Sequence, residues 1–147
     1  MGPTSAYFSL VNRALLVLIG AWLFSTSLAQ SVPPSDQAAR ETAVRWLALL
    51  DSGAFKQAYS ERAPRINAYG HEDEFLSWMR ARRAPFGRPK SRAFFRVTHS
   101  HTLLGAPDGN YEFMIFKTSF EHKAQAAEAV TLTSETGRWQ VSGYSMR

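Results

Sequence analysis

Apolar residues recur with helical spacing in the first part of the chain that follows residue 29. From residue 35 to about residue 50, they return every three or four positions, which is the spacing of a buried helix face: Ala39, Ala43, Trp46, Leu47 and Leu50. Ser35 is the predicted cap of this helix, and Gly53 ends it because glycine accepts positive φ. A shorter helix is predicted from Phe55 to about Pro64. A third opens in the sequence GHEDEFLSWMRARR, which has acids at its start and arginines at its end, as the helix dipole favours.

From residue 91 onward the pattern becomes that of β-strands. Four segments, 91–104, 110–123, 127–135 and 138–146, are rich in aromatic and β-branched residues. The turn sequences GAPDGN and ETGR connect the first pair of segments and the last pair. Helices followed by a meander predict an α+β fold, in which the N-terminal helices pack on one face of a four-stranded antiparallel sheet.

Residues 1–29 have the pattern of a secretory signal peptide. A single charge at Arg13 precedes the apolar run ALLVLIGAWLF, and small residues stand at Ser27 and Ala29, where signal peptidase reads the chain. The stretch from Ala14 to Ala29 is shorter than the roughly 20 apolar residues of a membrane-spanning helix, which leaves an uncleaved anchor as the alternative. We predict cleavage after Ala29, a tether at 30–34 and a single domain at 35–147.

Composition narrows the class of protein further. The chain has no cysteine, so disulfides, thiol chemistry and a lipid-bearing cysteine at the cleavage site are excluded. Export without disulfides predicts a periplasmic or secreted bacterial protein, with no stable membrane span after cleavage. The domain after Ala29 is only mildly basic, and no nucleic-acid-binding motif accompanies that charge, so nucleic acid is not a predicted partner. The sequence contains neither a Gly-x-Ser-x-Gly elbow nor a phosphate loop, and we predict no catalytic residues and no cofactor.

Several short sequences together resemble a known family. In chain order they are WLALLDSG, RRAPFGRPKSR, LLGAPDGNYEF, FKTSF, EAVTL and GRWQVSGY. They resemble an uncharacterised family of secreted bacterial proteins, the domain of unknown function numbered four thousand and nineteen. That family is similar to nuclear-transport-factor-two-like and cystatin-like proteins, which implies a curved sheet wrapped on helices, often with a pocket between them. It carries no established catalytic residues.

The stretch RARRAPFGRPKSR, residues 80–92, contains basic residues and no acidic one. The planar guanidinium group of arginine can donate two parallel hydrogen bonds to a phosphate or a carboxylate. The candidate ligand-binding residues here are therefore Arg82, Arg83, Arg88 and Arg92. The alternative is structural. Arginines at the end of a helix satisfy its dipole, and the charges of the stretch are then solvated or paired inside the protein, with Arg92 or Arg83 buried against a carboxylate such as Asp51.

His99 and His101 are further candidate ligand-binding residues. They lie two positions apart and therefore on one face of the first predicted strand, a face that also carries Phe95, Val97 and Leu103. Two histidines are too few for zinc, whose sites use three or four ligands. Partly buried, hydrogen-bonded imidazoles are the simpler interpretation.

A third histidine does not complete that pair in the predicted register. If the GAPDGN turn pairs Leu104 with Asn110, His122 lies opposite Arg92, about 23 Å from His99 at 3.3 Å per residue. We therefore predict no metal site.

Three functional hypotheses follow. The first is a non-catalytic envelope domain that binds a protein or small ligand in a groove between helix and sheet. The second is a binder of anionic ligands or membrane surfaces through residues 80–92, which a flat surface with clustered arginines favours. The third is a small pocket enzyme, a hydrolase or isomerase, which a pocket holding two close carboxylates or a histidine–carboxylate pair favours. The predicted partner is an unknown protein or a small anionic ligand of the cell envelope.

Overall fold

A computed structural model of the protein describes residues 34–68 and 70–147. The predicted signal peptide at 1–29 and residues 30–33 of the predicted tether lie outside the described residues. The helices come first, and they are α1 (Pro34–Asp51), α2 (Phe55–Ser60), α3 (Pro64–Asn67) and α4 (Glu72–Arg83), followed by a 3₁₀ turn at Ala84–Phe86. The strands are β1 (Pro89–Ser100), β2 (Tyr111–Phe120), β3 (Ala126–Thr133) and β4 (Gln140–Met146). The α+β prediction is confirmed, and the short helix α3 is an addition to it.

The four strands form one antiparallel sheet in the order β1-β2-β3-β4. Each strand therefore pairs with its neighbour in sequence, and the predicted meander is confirmed. Phe94 pairs with Phe116, Met114 with Val130, and Val130 with Tyr144. These pairs bring side chains from all four strands to the helix-covered face.

The core lies between α1 and that face of the sheet. Its buried apolar residues from α1 are those predicted from helical spacing, and β2 to β4 contribute Met114, Phe116, Val130, Leu132 and Val141. Burying each such large side chain stabilises the fold by about 1.5–3 kcal/mol. Trp46 also fixes α2, because its Nε1 donates a hydrogen bond of 2.8 Å to the carbonyl oxygen of Ala58.

The predicted register between the first two strands is wrong. Ser100, rather than Leu104, lies next to the loop and pairs with Tyr111. The loop from 101 to 110 is a compact structure of its own instead of a tight hairpin turn. Inside it, the Gly109 amide donates to the His101 carbonyl at 2.9 Å, and Tyr111 Oη donates to the Pro107 carbonyl at 2.7 Å.

A second difference is a register shift in β1 between Phe94 and Arg96. Simple alternation along the sequence had placed Phe95, Val97 and His99 on one face of this strand. An extra residue in one strand reverses the alternation of side chains beyond it. Phe95 is 51% exposed, with Lys117 Nζ 3.9 Å from its ring centroid, whereas Val97 packs against the core. Phe95 and Val97 therefore do not share a face.

Among the described residues, no helix has the length and apolar character needed to cross a membrane.

Candidate functional site

Two of the four candidate arginines lie inside the protein. Arg83 at the end of α4 is 7% exposed, and Arg92 on β1 is half-buried. Both donate to Asp51 at the end of α1, where Arg92 makes two hydrogen bonds of 2.7 and 2.9 Å. Both also donate to Glu128 on β3, Arg83 at 3.0 Å and Arg92 at 2.7 Å. Two guanidinium groups and two carboxylates thus form a neutral network that joins α1, α4 and the sheet.

Glu128 is the centre of this network and has 0% exposure. Its carboxylate also accepts hydrogen bonds from Thr118 Oγ1 at 2.6 Å and Tyr144 Oη at 2.7 Å. Burial acts to raise the pKa of Glu128, but the charge and hydrogen bond of Arg92 outweigh it, so the pKa lies below its ordinary value. Burial, and then the negative charge of the same carboxylate, raise the pKa of the Tyr144 hydroxyl. Glu128 is therefore held as a carboxylate, and Arg83 and Arg92 already have anionic partners within the protein.

The other two candidate arginines are exposed. Arg82 Nη2 lies 3.4 Å from the Met146 carbonyl oxygen, and the backbone amide of Arg88 donates to Glu121 Oε2 at 2.9 Å. The structure does not bring the four arginines together at one surface. It divides residues 80–92 into two arginines that bind internal carboxylates and separate solvent-facing cations.

A groove of about 400 Å³ opens between the helices and β4. Its walls include four aromatic rings, which belong to Trp46, Phe75, Trp78 and Tyr144. The Tyr144 ring contacts the rings of Trp46 and Trp78, with centroid separations of 5.5 Å and 6.4 Å. Trp78 is 43% exposed, so part of this aromatic surface faces solvent. Concave sites lined by aromatic side chains with few polar groups are typical of small-molecule binding.

Arg62 supplies a cation to the wall of this groove. Its guanidinium carbon lies 4.5 Å from the ring centroid of Tyr59 and 4.3 Å from that of Phe75. Nε and Nη2 are buried and have no hydrogen-bond partner. Burial lowers the pKa of Arg62, against an opposing effect of Tyr59. Stacking on two rings stabilises the charge but leaves part of its hydrogen-bonding capacity unused.

His99 lies in a different place, beside two carboxylates. Its Nε2 is 3.4 Å from Asp36 Oδ2 in the first turn of α1, and its Nδ1 is 3.9 Å from Glu112 Oε1 on β2. Glu112 is 2% exposed, and its Oε2 has no hydrogen-bond partner. Burial and then the charge of Asp36 raise the pKa of Glu112 to about 7, although His99 acts to lower it. His101 is exposed, at the start of the loop after β1.

The sequence did not predict this histidine–carboxylate cluster, because its members come from α1, β1 and β2 and no local pattern connects them. The observed register places Glu112 directly opposite His99. A carboxylate at position 112, on the face shared with Met114 and Phe116, was the available sign of a buried acid. None of the three cluster residues lines the aromatic groove.

The fold and the groove define a class of protein, a small α+β domain with an aromatic recess between its helices and the last strand of a meander. The chain belongs to the family described as protein of unknown function (DUF4019), whose model matches residues 42–144. This confirms the family resemblance found in the sequence. No curated protein and no solved structure matches the chain. The likeness to nuclear-transport-factor-two-like and cystatin-like folds stays a prediction.

Proposed function

We propose that the protein is an exported, non-catalytic domain that binds a small ligand with an apolar or aromatic body and an anionic group in the groove beside β4. The observation that carries the proposal is the aromatic groove with Arg62 in its wall. The groove volume of about 400 Å³ falls within the range of about 300–1,000 Å³ that small-molecule sites occupy.

The apolar part of the ligand is assigned to the aromatic walls. Trp46 and Tyr144 belong to the packed core, so these walls are in place before a ligand arrives. A rigid aromatic surface loses little conformational entropy on binding, which favours affinity. The exposed edge of Trp78 gives a ligand a large face to cover.

The anionic part is assigned to the neighbourhood of Arg62. A cation that is partly removed from water and has unpaired N–H groups gains most from a carboxylate, sulfonate or phosphate. His71 and Glu74 also line the groove, and both are exposed, so polar groups are present where it meets solvent.

A pair of fluorescent probes tests both parts. 8-Anilinonaphthalene-1-sulfonate carries an aromatic body with a sulfonate, and N-phenyl-1-naphthylamine has the same body without charge. We expect the purified protein to bind both, and the sulfonate more tightly. Trp78→Ala should weaken both probes, whereas Arg62→Met should remove only the preference for the sulfonate.

Phe95→Ala is the matched control, because Phe95 is also an exposed aromatic residue but does not line the groove. Equal loss of binding in Phe95→Ala and Trp78→Ala would show that the probes bind exposed apolar surface in general. That result would overturn the groove assignment.

Export to the periplasm or exterior of a bacterium is supported by the apolar run and small residues of positions 14–29. The expected mature N-terminus is Gln30 or a residue close to it. Intact-mass spectrometry of the exported protein decides this, and a mass that retains Met1 in the membrane fraction would indicate an anchor instead.

A further inference from the structure

We propose that Asp36, His99 and Glu112 form a binding site for one divalent transition-metal ion, and that zinc is the ion whose ligand preferences fit it best. The site lies apart from the aromatic groove and does not depend on the ligand proposed for that groove.

Three elements bring the ligands together. Asp36 stands in the first turn of α1, His99 is near the end of the edge strand β1, and Glu112 is near the start of β2. His99 and Glu112 are direct cross-strand partners. Helix α1 packs on that same face of the sheet, which places the Asp36 carboxylate beside the imidazole at 3.4 Å.

The distances suit a metal ion with small adjustments. One donor atom from each residue lies within 4.8 Å of the other two. Ligands held about 2.0–2.1 Å from a tetrahedral zinc ion are about 3.4 Å apart. The distance from His99 Nε2 to Asp36 Oδ2 already has this value, and Glu112 has to approach by up to about 1.4 Å. The exposed His99 side chain can rotate so that a single nitrogen is directed at the ion.

The strongest reason to expect a cation is the state of Glu112. Its side chain is almost completely buried, its Oε2 has no hydrogen-bond partner, and its Oε1 is 3.9 Å from the nearest histidine nitrogen. A second carboxylate, Asp36, lies in the same cluster. Buried carboxylates are normally paired, hydrogen-bonded or metal-bound, because a buried negative charge without such a partner costs several kcal/mol. A divalent cation at this position gives the buried Glu112 carboxylate the partner that it lacks.

The donor set selects the class of ion. Imidazole is a poor ligand for magnesium and calcium, which prefer oxygen, whereas zinc binds histidine and carboxylate together. Three protein ligands also leave one position of a tetrahedral ion open to water or to a ligand.

Zinc titration of the purified, chelator-treated protein by calorimetry tests the site. We expect the wild type to bind one Zn²⁺ per chain with micromolar affinity or better, and to bind Mg²⁺ much more weakly. His99→Ala and Glu112→Gln should each weaken Zn²⁺ binding by at least about tenfold. His101→Ala is the control, because it removes a neighbouring exposed imidazole outside the cluster and should bind Zn²⁺ like the wild type.

Histidine NMR on the wild type gives a readout that does not depend on the folding of any variant. Added Zn²⁺ should shift the imidazole resonances of His99 and leave those of His101 unchanged. Absence of Zn²⁺ binding at concentrations up to about 100 µM would make the cluster an internal ion pair and overturn the proposal. Equal effects at His99 and His101, in either experiment, would overturn it too, because they would place zinc on exposed histidines in general.

Discussion

Replacement of Glu128 by glutamine tests whether the buried ion network holds the helices on the sheet. Glutamine keeps the shape of the side chain but removes its charge, so that two arginines face the single carboxylate of Asp51. It also replaces one acceptor oxygen by an NH₂ group, at a position where four donors now converge on Glu128. Breaking a buried ion pair from one side typically costs about 3–5 kcal/mol. Domains of this size have about 5–15 kcal/mol of stability in total, so the variant should lose a large part of it.

Urea denaturation followed by tryptophan fluorescence measures this loss. With a denaturant slope of about 2 kcal/mol per M, a loss of about 4 kcal/mol lowers the midpoint by roughly 2 M. Glu135→Gln is the matched control, because it removes the same charge from an exposed pair with Arg65, whose Nε lies 3.4 Å from Glu135 Oε2. Exposed pairs contribute about 0–1 kcal/mol, so the control midpoint should move little.

The dependence on pH distinguishes loss of charge from loss of shape. A carboxyl group whose pKa is lowered by folding stabilises the protein above its unfolded pKa of about 4.3, and that contribution is lost as the pH falls through the folded pKa. The difference between wild type and Glu128→Gln should therefore be full at pH 7 and shrink below about pH 4. A difference under about 1 kcal/mol at pH 7 would refute the structural role of the network. If a large stability difference between wild type and Glu128→Gln persisted unchanged below about pH 4, packing instead of charge would explain the destabilisation.

Two further pairs of variants give contrasting expectations. Arg83→Glu should destabilise the fold by at least about 3–5 kcal/mol in the same urea assay, because it puts a third negative charge beside Asp51 and Glu128. Arg88→Glu should change the stability by no more than about 0.5 kcal/mol, because Arg88 is exposed. Similar losses in both variants would contradict the division of residues 80–92 into internal and solvent-facing arginines. Gly87→Ala should cost about 2–4 kcal/mol of folding stability, because φ is 73° and an added Cβ atom would lie 2.8 Å from Glu121 Oε2. Gly53→Ala should cost only about 1–2 kcal/mol, because φ is 76° but the space around it is open. Equal costs would show that the close approach to Glu121 does not contribute.

The elements of the fold were predictable because each depends on local spacing. The face formed by Ala39, Ala43 and Trp46 and the four apolar strand segments needed no knowledge of distant residues. The register of the first hairpin was not predictable in this way. It depends on a ten-residue loop with its own hydrogen bonds and on the shift between Phe94 and Arg96, neither of which has a local sequence pattern.

Which charged residues pair with each other was the least predictable part of the site. The alternation of buried and exposed side chains along the strands gave a partial indication of these pairs. Glu128 alternates with the buried residues Ala126 and Val130, and Arg92 with the core-contacting Phe94. A charge on an apolar face has to be paired, since its burial is otherwise very unfavourable. Opposite charges on the inner faces of two strands therefore indicate an internal ion pair. Asp51 was a predicted partner of Arg83 or Arg92, and the packing of α1 and α4 shows that both arginines share it and also bind Glu128.

Tyr144 connects the ion network to the aromatic groove. Its hydroxyl donates to Glu128 at 2.7 Å and accepts from Arg83 Nη1 at 2.9 Å, while its ring lies in the groove wall against Trp46 and Trp78. The hydroxyl oxygen of Tyr144 can move away only if those charge-assisted hydrogen bonds lengthen, and such bonds are stronger than neutral ones, so they fix the position of this end of the ring. Arg83 directly, and Arg92 through Glu128, therefore help to position a ring that the ligand is proposed to contact, without contacting that ligand themselves. In this arrangement Arg83 and Arg92 support the proposed binding site from inside the fold, and the cation assigned to the ligand is Arg62, which lies outside the basic stretch at 80–92.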